Sequence, residues 1–165
     1  GAELSGVWKP RWLGDRVYFN ANVTYNVAEF DNDFVTVNPS TGAATTLSIA
    51  GNRLPDNAEW LFHGGITYEP FSWAIVNVSA RYVGSRFSNY VNTEALGGYT
   101  IYNAYIDIGG DGLDFGPLRA LKLRFNVDNL TDKDYLGTLT PATSGTATFR
   151  PGPHRTYQLT LTAGF

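Results

Sequence analysis

The sequence predicts an all-β protein, an antiparallel up-and-down transmembrane β-barrel wall of seven strands. Three observations lead there. Apolar and polar residues alternate at period 2 in seven segments, helical periodicity is nearly absent, and the connections between segments alternate in length. Period 2 puts residues i and i+2 on the same face of a strand, so each segment has one apolar and one wet face. Most run about ten residues or a little more, enough for a strand tilted by roughly 45° to cross a bilayer.

The first segment, Ala2 to Lys9, alternates Ala2, Leu4, Gly6 and Trp8 with Glu3, Ser5, Val7 and Lys9. A short connection, Pro10 to Asp15, leads to Arg16 to Asp31, where Val17, Phe19, Ala21, Val23, Tyr25 and Val27 oppose Asn20, Asn22, Thr24 and Asn26. Asn32 to Ala58 is long and is expected to lack regular structure. Glu59 to Glu69 (Trp60, Phe62, Gly64, Ile66, Tyr68) and Trp73 to Val83 (Ala74, Val76, Val78, Ala80, Tyr82) flank a tight turn at Pro70 to Ser72. After the long connection Gly84 to Gly98 comes Tyr99 to Gly109, with Tyr102, Ala104, Ile106 and Ile108 on one face. A glycine-rich turn, Gly110 to Leu118, precedes Ala120 to Asn129, where Leu121, Leu123, Phe125 and Val127 oppose Lys122, Arg124, Asn126 and Asp128. The long connection Leu136 to His154 leads to Arg155 to Phe165, with Tyr157, Leu159, Leu161, Ala163 and Phe165 aligned.

In a meander every second connection lies at the same end, so the three long ones share one side and the short ones the other. Outer-membrane barrels have this asymmetry, whereas compact soluble domains rarely carry long loops in such number. Aromatics fall at both ends: Trp8, Trp12, Phe71, Trp73 and Phe165 near the short turns, and Phe30, Trp60, Phe62, Tyr82, Tyr99, Tyr102 and Tyr157 toward the long connections. Two such belts flanking an aliphatic band are the interface pattern of a membrane barrel. With 43% hydrophobic residues, a mean hydropathy of −0.18 is what half-apolar strands produce.

Composition narrows the function. Without cysteine there is no disulfide framework, thiolate metal site or cysteine nucleophile. A net charge of −3 gives no basic footprint for nucleic acid. No G-x-S-x-G, H-E-x-x-H or P-loop occurs, so no enzymatic activity and no cofactor are expected. His63 and His154 are isolated and do not suggest a metal site. Seven is an odd count, whereas single-chain bacterial barrels are even, and an open edge in lipid costs several kcal/mol per unpaired group. The chain, which opens on Gly1, is therefore expected to be the C-terminal part of a larger barrel. The alternative is a complete small barrel of adhesive, structural or enzymatic role, with an eighth strand within Val35 to Ile49; a soluble β-sandwich is a third reading.

Several motifs sharpen this. Asn126-Val127-Asp128-Asn129-Leu130-Thr131-Asp132-Lys133-Asp134-Tyr135 resembles the N-x-x-N-L-[FT]-D-x-x-Y signature near the end of TonB-dependent outer-membrane receptors. Pro151-Gly152-Pro153-His154-Arg155 is similar to their PG-x-x-R lead-in to a final strand ending in Phe. Gly51-Asn52-Arg53-Leu54-Pro55-Asp56 before Glu59, and Arg81-Tyr82-Val83-Gly84, resemble the G-x-R-x-P-x-x-P-E and R-Y-x-G landmarks. At Asn57-Ala58 the proline usual before that glutamate is missing. The resemblance covers nearly the whole chain. It implies one domain, 1–165, forming the C-terminal segment of a roughly 22-stranded barrel. It also implies a bacterial outer-membrane location with a periplasmic C-terminus and extracellular long loops. The implied partners are membrane lipid, the remaining strands and plug domain, TonB acting through a more N-terminal part, the barrel assembly machinery, and a small-molecule ligand. A ferric siderophore is the first expectation for that ligand; a carbohydrate or vitamin is the alternative.

Residue roles follow as expectations. Tyr157, Leu159, Leu161 and Phe165 resemble the terminal assembly signal, and each also suits an interfacial anchor. Asn129, Leu130, Asp132 and Tyr135 are expected to be structural, with short polar side chains satisfying backbone groups where a strand becomes a loop. Asn20, Asn22, Asn26, Asn77, Arg81, Asn103, Asp107, Lys122, Arg124, Asn126, Asp128 and Gln158 should face the lumen, as a hydrated wall or against a plug. Basic and aromatic groups on the long connections, Arg53, Trp60, Arg86, Tyr90, Phe149, Arg150 and His154, are the candidates for contacting an anionic complex.

Overall fold

The computed structural model describes residues 1–110, 119–143 and 145–164. The first strand, β1 (Ala2–Trp8), leads through a single 3-10 turn at Arg11–Leu13 into β2 (Val17–Tyr25). The next connection holds β3 (Phe34–Val37) and β4 (Ala44–Leu47), followed by β5 (Trp60–Phe71) and β6 (Ala74–Val83). Two short strands, β7 (Arg86–Phe87) and β8 (Ala95–Leu96), precede β9 (Tyr99–Gly109) and β10 (Arg119–Asp128). Last come β11 (Leu136–Thr140), β12 (Thr148–Pro151) and β13 (Thr156–Gly164).

Seven of these strands form one antiparallel sheet in the order β1-β2-β5-β6-β9-β10-β13, the meander the alternation predicts. The sheet is not closed among the described residues: β1 and β13 are its edges. Register keeps one face apolar throughout, because directly opposed residues share a face. One row crosses all seven strands as Trp8, Phe19, Ile66, Val78, Ala104, Val127 and Tyr157. The opposite face carries a row of Tyr18, Thr67, Asn77, Tyr105, Asn126 and Gln158.

The apolar face is bare. Leu4, Ile66, Leu159 and Leu161 expose 75%, 50%, 67% and 66% of their surface. Each such side chain contributes roughly 1.5–3 kcal/mol once transferred out of water, so this face matches a hydrocarbon environment. Trp60, Phe62, Tyr82, Tyr102 and Tyr157 are exposed on it toward the long connections. Two residues expected in that belt turn inward instead. Phe30 packs edge-on against Tyr90, and Tyr99, opposite Val83, meets the Tyr135 ring at a tilt with centres 4.6 Å apart.

The long connections also differ from expectation. Each carries a two-stranded hairpin: β3 with β4, β7 with β8, and β11 with β12. Their strands are too short for period 2 to stand out from loop sequence. The segment offered as an eighth strand, Val35 to Ile49, covers all but Phe34 of the β3–β4 hairpin, which is separate from the main sheet. The second predicted segment, drawn to Asp31, leaves the sheet after Tyr25, and Asn26 N–H then donates to the Glu59 carbonyl.

At the short-turn end Gly109 adopts φ 109°, and a Cβ there would sit 2.0 Å from the Leu121 carbonyl oxygen, so only glycine fits. Most of the glycine-rich turn after it, from Asp111 to Leu118, lies outside the described residues.

Candidate functional site

Among the described residues, buried polar side chains on the inner face gather in two groups. Asn77 Nδ2 donates to Thr67 Oγ1 at 2.8 Å, and both residues are buried. Asp107 is 2% exposed and receives a two-pronged grip from Arg124, Nε to Oδ1 at 2.5 Å and Nη2 to Oδ2 at 2.6 Å. Lys122 Nζ lies 2.9 Å from the same Oδ2, and the Arg124 guanidinium sits 4.4 Å from the centre of the Tyr105 ring. Two cations on one carboxylate leave the group net positive. Asn22 donates to Glu3 at 2.6 Å and Asn126 to Gln158 at 3.4 Å, while Asn20, His63 and Arg81 share this face by register. Asn26 lies just past the end of β2.

Where β10 ends, Asn129 builds a corner. It is 3% exposed with φ 52°, in the left-handed region that asparagine tolerates better than most residues. Its Nδ2 donates to the carbonyls of Lys133 (2.9 Å) and Pro153 (3.0 Å), its Oδ1 accepts from Lys133 N–H (2.8 Å), and its own N–H donates to Asn103 Oδ1 (2.9 Å). Leu130 N–H donates to the Tyr102 carbonyl. Asp132 Oδ1 accepts from Arg155 N–H at 2.8 Å; that bond, ahead of the nearby Arg155 and His154 charges, holds its carboxyl below the ordinary carboxylate range. The Tyr135 ring lies over Gly152, where a Cβ would come within 2.1 Å of it, and burial pushes its phenol above the usual value.

Between corner and wall lies a cavity of about 160 Å³ lined by Arg81, Tyr99, Asn103, Asp128, Tyr135 and His154, among others. Residues assigned to separate roles from sequence thus share one concavity. Among the described residues, Arg81 and Asp128 form no side-chain hydrogen bond or ion pair, leaving a cation and an anion available there. His154 is 78% exposed with Nδ1 3.6 Å from both Asp132 and Asp134.

The three long connections pack into one layer. Arg53 is held through its backbone, N–H to Asn92 Oδ1 at 2.7 Å and carbonyl from Asn92 Nδ2 at 2.9 Å. Its guanidinium lies 3.4 Å from Glu59 and 5.4 Å from the Phe87 ring centre, and its Nε and Nη2 are buried without a hydrogen-bond acceptor. Arg86 is 3% exposed: Nη2 donates to the carbonyls of Leu136 (2.6 Å) and Gly137 (2.9 Å), and Nε lies 2.8 Å from Asp56 Oδ1 as an ion pair rather than a directed hydrogen bond. Tyr90 is half-buried, with its N–H donating to the Ala142 carbonyl and its own carbonyl accepting from Asn52 Nδ2. Arg150 and Phe149 sit on β12, Arg150 exposed. Trp60, 50% exposed, stands apart from these groups, on the apolar face beside Tyr25 with ring centres 4.7 Å apart.

Sequence reasoning gives no role to Asn52 and Asp56, quoted only within a motif, and none to Ser88, Asn89 and Asn92; all five knit this layer. Ser88 and Asn89 are 0% and 1% exposed, and Asn89 Nδ2 donates to the Gly145 carbonyl at 3.2 Å. The available signal was the density of Asn and Asp, whose short side chains bond to nearby backbone and tolerate positive φ, as at Asp56 (57°) and Asn92 (55°). On β13, Tyr157, Leu159 and Leu161 line the apolar face of an edge strand; Phe165 lies outside the described residues.

The model of a family described as TonB-dependent receptor-like β-barrel matches residues 1–130. Among solved structures, the siderophore receptor PiuA from Acinetobacter baumannii superposes with a TM-score of 0.70 at 21% identity, over 96% of this chain and 20% of that one. The ferric citrate transporter FecA in its unliganded form gives 0.70 at 20% identity, over 95% and 22%. The ferric yersiniabactin uptake receptor FyuA from Yersinia pestis gives 0.66 at 15% identity, over 99% and 23%. At these identities the likeness is one of fold, and the chain spans only about a fifth of each structure's length. Together with the open half-apolar sheet, the family match shows that the chain belongs to the β-barrel of the TonB-dependent receptors, an outer-membrane family of transporters and receptors rather than enzymes.

Proposed function

We propose that this chain is the C-terminal segment of the barrel of an active importer, which takes up a scarce nutrient as a ferric-siderophore-class complex. The observation that carries this reading is the family match over residues 1–130 on a sheet whose wet face bears an excess of cations around Asp107. The named functions of the fold neighbours, siderophore, ferric citrate and ferric yersiniabactin uptake, support the ferric choice. In this reading the long connections are extracellular and the C-terminus periplasmic. The unpaired edges of β1 and β13 are closed by further strands, since lipid penalises open edges. A plug fills the lumen against Arg81, Asp128 and the Asp107 group, and contact with TonB supplies energy through a part of the protein outside these residues. Tyr157, Leu159, Leu161 and Phe165 serve the assembly machinery.

For ligand capture, Arg53, Tyr90, Arg150 and His154 supply charge and stacking. Uptake of radiolabelled iron by cells carrying or lacking the gene, with and without TonB, tests the proposal. TonB-dependent ferric uptake that disappears with the gene is the expected result. Unchanged iron uptake together with lost uptake of a sugar or vitamin would replace the substrate class and keep the transporter.

A further inference from the structure

The residues proposed to meet the ligand lie on three separate connections: Arg53 between β2 and β5, Tyr90 between β6 and β9, and Arg150 between β10 and β13. Nothing in the chain order sets their relative placement, so some contact between the connections must. Several do, Asn92 to Arg53 and Asn89 to Gly145 among them, and Arg86 adds one that reaches both other connections at once. From the middle connection its guanidinium reaches Asp56 on the first at 2.8 Å and two carbonyls on the third, Leu136 at 2.6 Å and Gly137 at 2.9 Å. It also lies 5.6 Å from the Tyr99 ring centre, at the start of β9.

Asp56 extends the joint. Its N–H donates to the Phe87 carbonyl at 2.9 Å, and its second carboxylate oxygen accepts from Leu139 N–H at 3.4 Å. Each member of the pair therefore reaches the connection between β10 and β13. Two further backbone bonds join the middle and third connections: Tyr90 N–H to the Ala142 carbonyl at 3.1 Å and Ala142 N–H to the Ser88 carbonyl at 3.4 Å. With 3% exposure, Arg86 has no face left for a solute. Burying a guanidinium this far requires partners for its donors, and the fork geometry of arginine supplies several at once where a lysine ammonium offers a point charge.

We infer that Arg86 is a positioning residue: through Asp56 and the Leu136 and Gly137 carbonyls it holds the three long connections as one unit, fixing where Arg53, Tyr90 and Arg150 stand relative to each other. Its link to capture rests on the function proposed above; the joint itself does not. The three connections then move together or not at all, and this side of the barrel mouth receives a ligand ready-formed.

Hydrogen exchange of the full-length receptor in lipid nanodiscs tests this, comparing wild type with Arg86→Ala and Arg86→Lys. The amides of Asp56, Leu139 and Ala142 report on contacts between connections. Both variants should raise their exchange together, about tenfold or more, while amides of β5 and β6 stay unchanged. Failure of Arg86→Lys to restore protection separates the fork from simple charge. A rise confined to Gly84 to Gly98, or full protection in Arg86→Lys, would overturn the inference; if Arg86→Ala does not insert, Arg86→Lys decides alone. A second arm measures binding of ferric citrate and of a ferric tris-catecholate by intrinsic tryptophan fluorescence. Whichever probe wild type binds should bind Arg86→Lys about tenfold more weakly. Loosened amides with unchanged affinity would overturn the link to capture. Wild type that binds neither probe would sink the ferric reading and leave the amide pattern to decide the joint.

Discussion

The wall and the loop layer of this chain are built by opposite rules. In the wall, backbone ladders supply the order, the large apolar side chains point outward, and the polar ones are drawn in around Asn77 and Asp107. In the loop layer, buried apolar groups such as Ile49, Ala58, Leu139 and Ala147 sit inside, and Asn, Asp and Arg side chains do the joining. The wall is inside-out because its outer solvent is hydrocarbon; the layer is an ordinary water-facing assembly. The difference teaches that a single chain can satisfy both solvents by switching from ladder to side-chain bonding at the strand ends. Asn129 marks one such switch, bonded at once to Lys133, Pro153 and Asn103.

The largest effect should come from forcing a side chain where backbone blocks it. Gly109→Ala combines a positive φ with a collision against the Leu121 carbonyl, and should cost about 2–5 kcal/mol, seen as loss of the heat-modifiable folded band of the full-length receptor on gels. Gly6→Ala, with nothing within 4 Å of the added carbon, should leave that band unchanged and so control for insertion. Next comes Arg124→Ala, which leaves the buried Asp107 with Lys122 alone and should cost about 3 kcal/mol in the denaturant midpoint. The damage should stay in the wall, with the amides of the loop layer still protected.

Asn129→Ala should act on the layer instead. It removes three side-chain hydrogen bonds and leaves alanine in the left-handed region, for about 2 kcal/mol, with raised exchange at Lys133 and none along β10. If exchange rises equally along β10, wall and layer are less separate than described. The smallest effect is one of pH. Asp33 and Asp132, both in the layer, have carboxyls held below their ordinary values chiefly by backbone N–H donors, Ala50 and Ile49 for the one and Arg155 for the other. A depressed acid contributes stability above its unfolded pKa and loses it as pH falls through the lower folded one. Protection factors at Ile49, Ala50 and Arg155 should therefore fall on acidification through and below about pH 4, and Asp132→Asn should flatten the response at Arg155.

The wall was legible in the sequence because each strand carries its own period-2 record, needing no knowledge of its neighbours. The layer was not, because its bonds span long separations: Asn52 to Tyr90 is 38 residues, Arg86 to Leu136 is 50 and Leu139 to Asp56 is 83. Arg53 and Arg86 look alike as loop cations, yet the Arg53 side chain stays 22% exposed, whereas Arg86 is enclosed with two carbonyls of another connection on its Nη2. What separates them is what each connection meets, which no local pattern encodes. The hairpins escaped for a simpler reason: strands such as Arg86–Phe87 and Ala95–Leu96 contain too few residues to alternate. Tyr99 was placed in the outer belt by its position at a strand end, whereas its parity with Val83 puts it inside.

The central claim is the two-faced wall, and spin labels along β13 and β10 test it most directly. The 165 residues contain no cysteine, so once any cysteine elsewhere in the full-length receptor is replaced, single cysteines at Gln158, Leu159, Thr160, Leu161 and Thr162, and at Phe125 and Asn126, can be labelled in bilayers. Relaxation by membrane-dissolved oxygen should dominate at Leu159, Leu161 and Phe125. Relaxation by a water-soluble nickel complex should dominate at Gln158, Thr160, Thr162 and Asn126. Accessibility to the nickel complex that shows no period of two along these strands would contradict a wall with its apolar face in lipid.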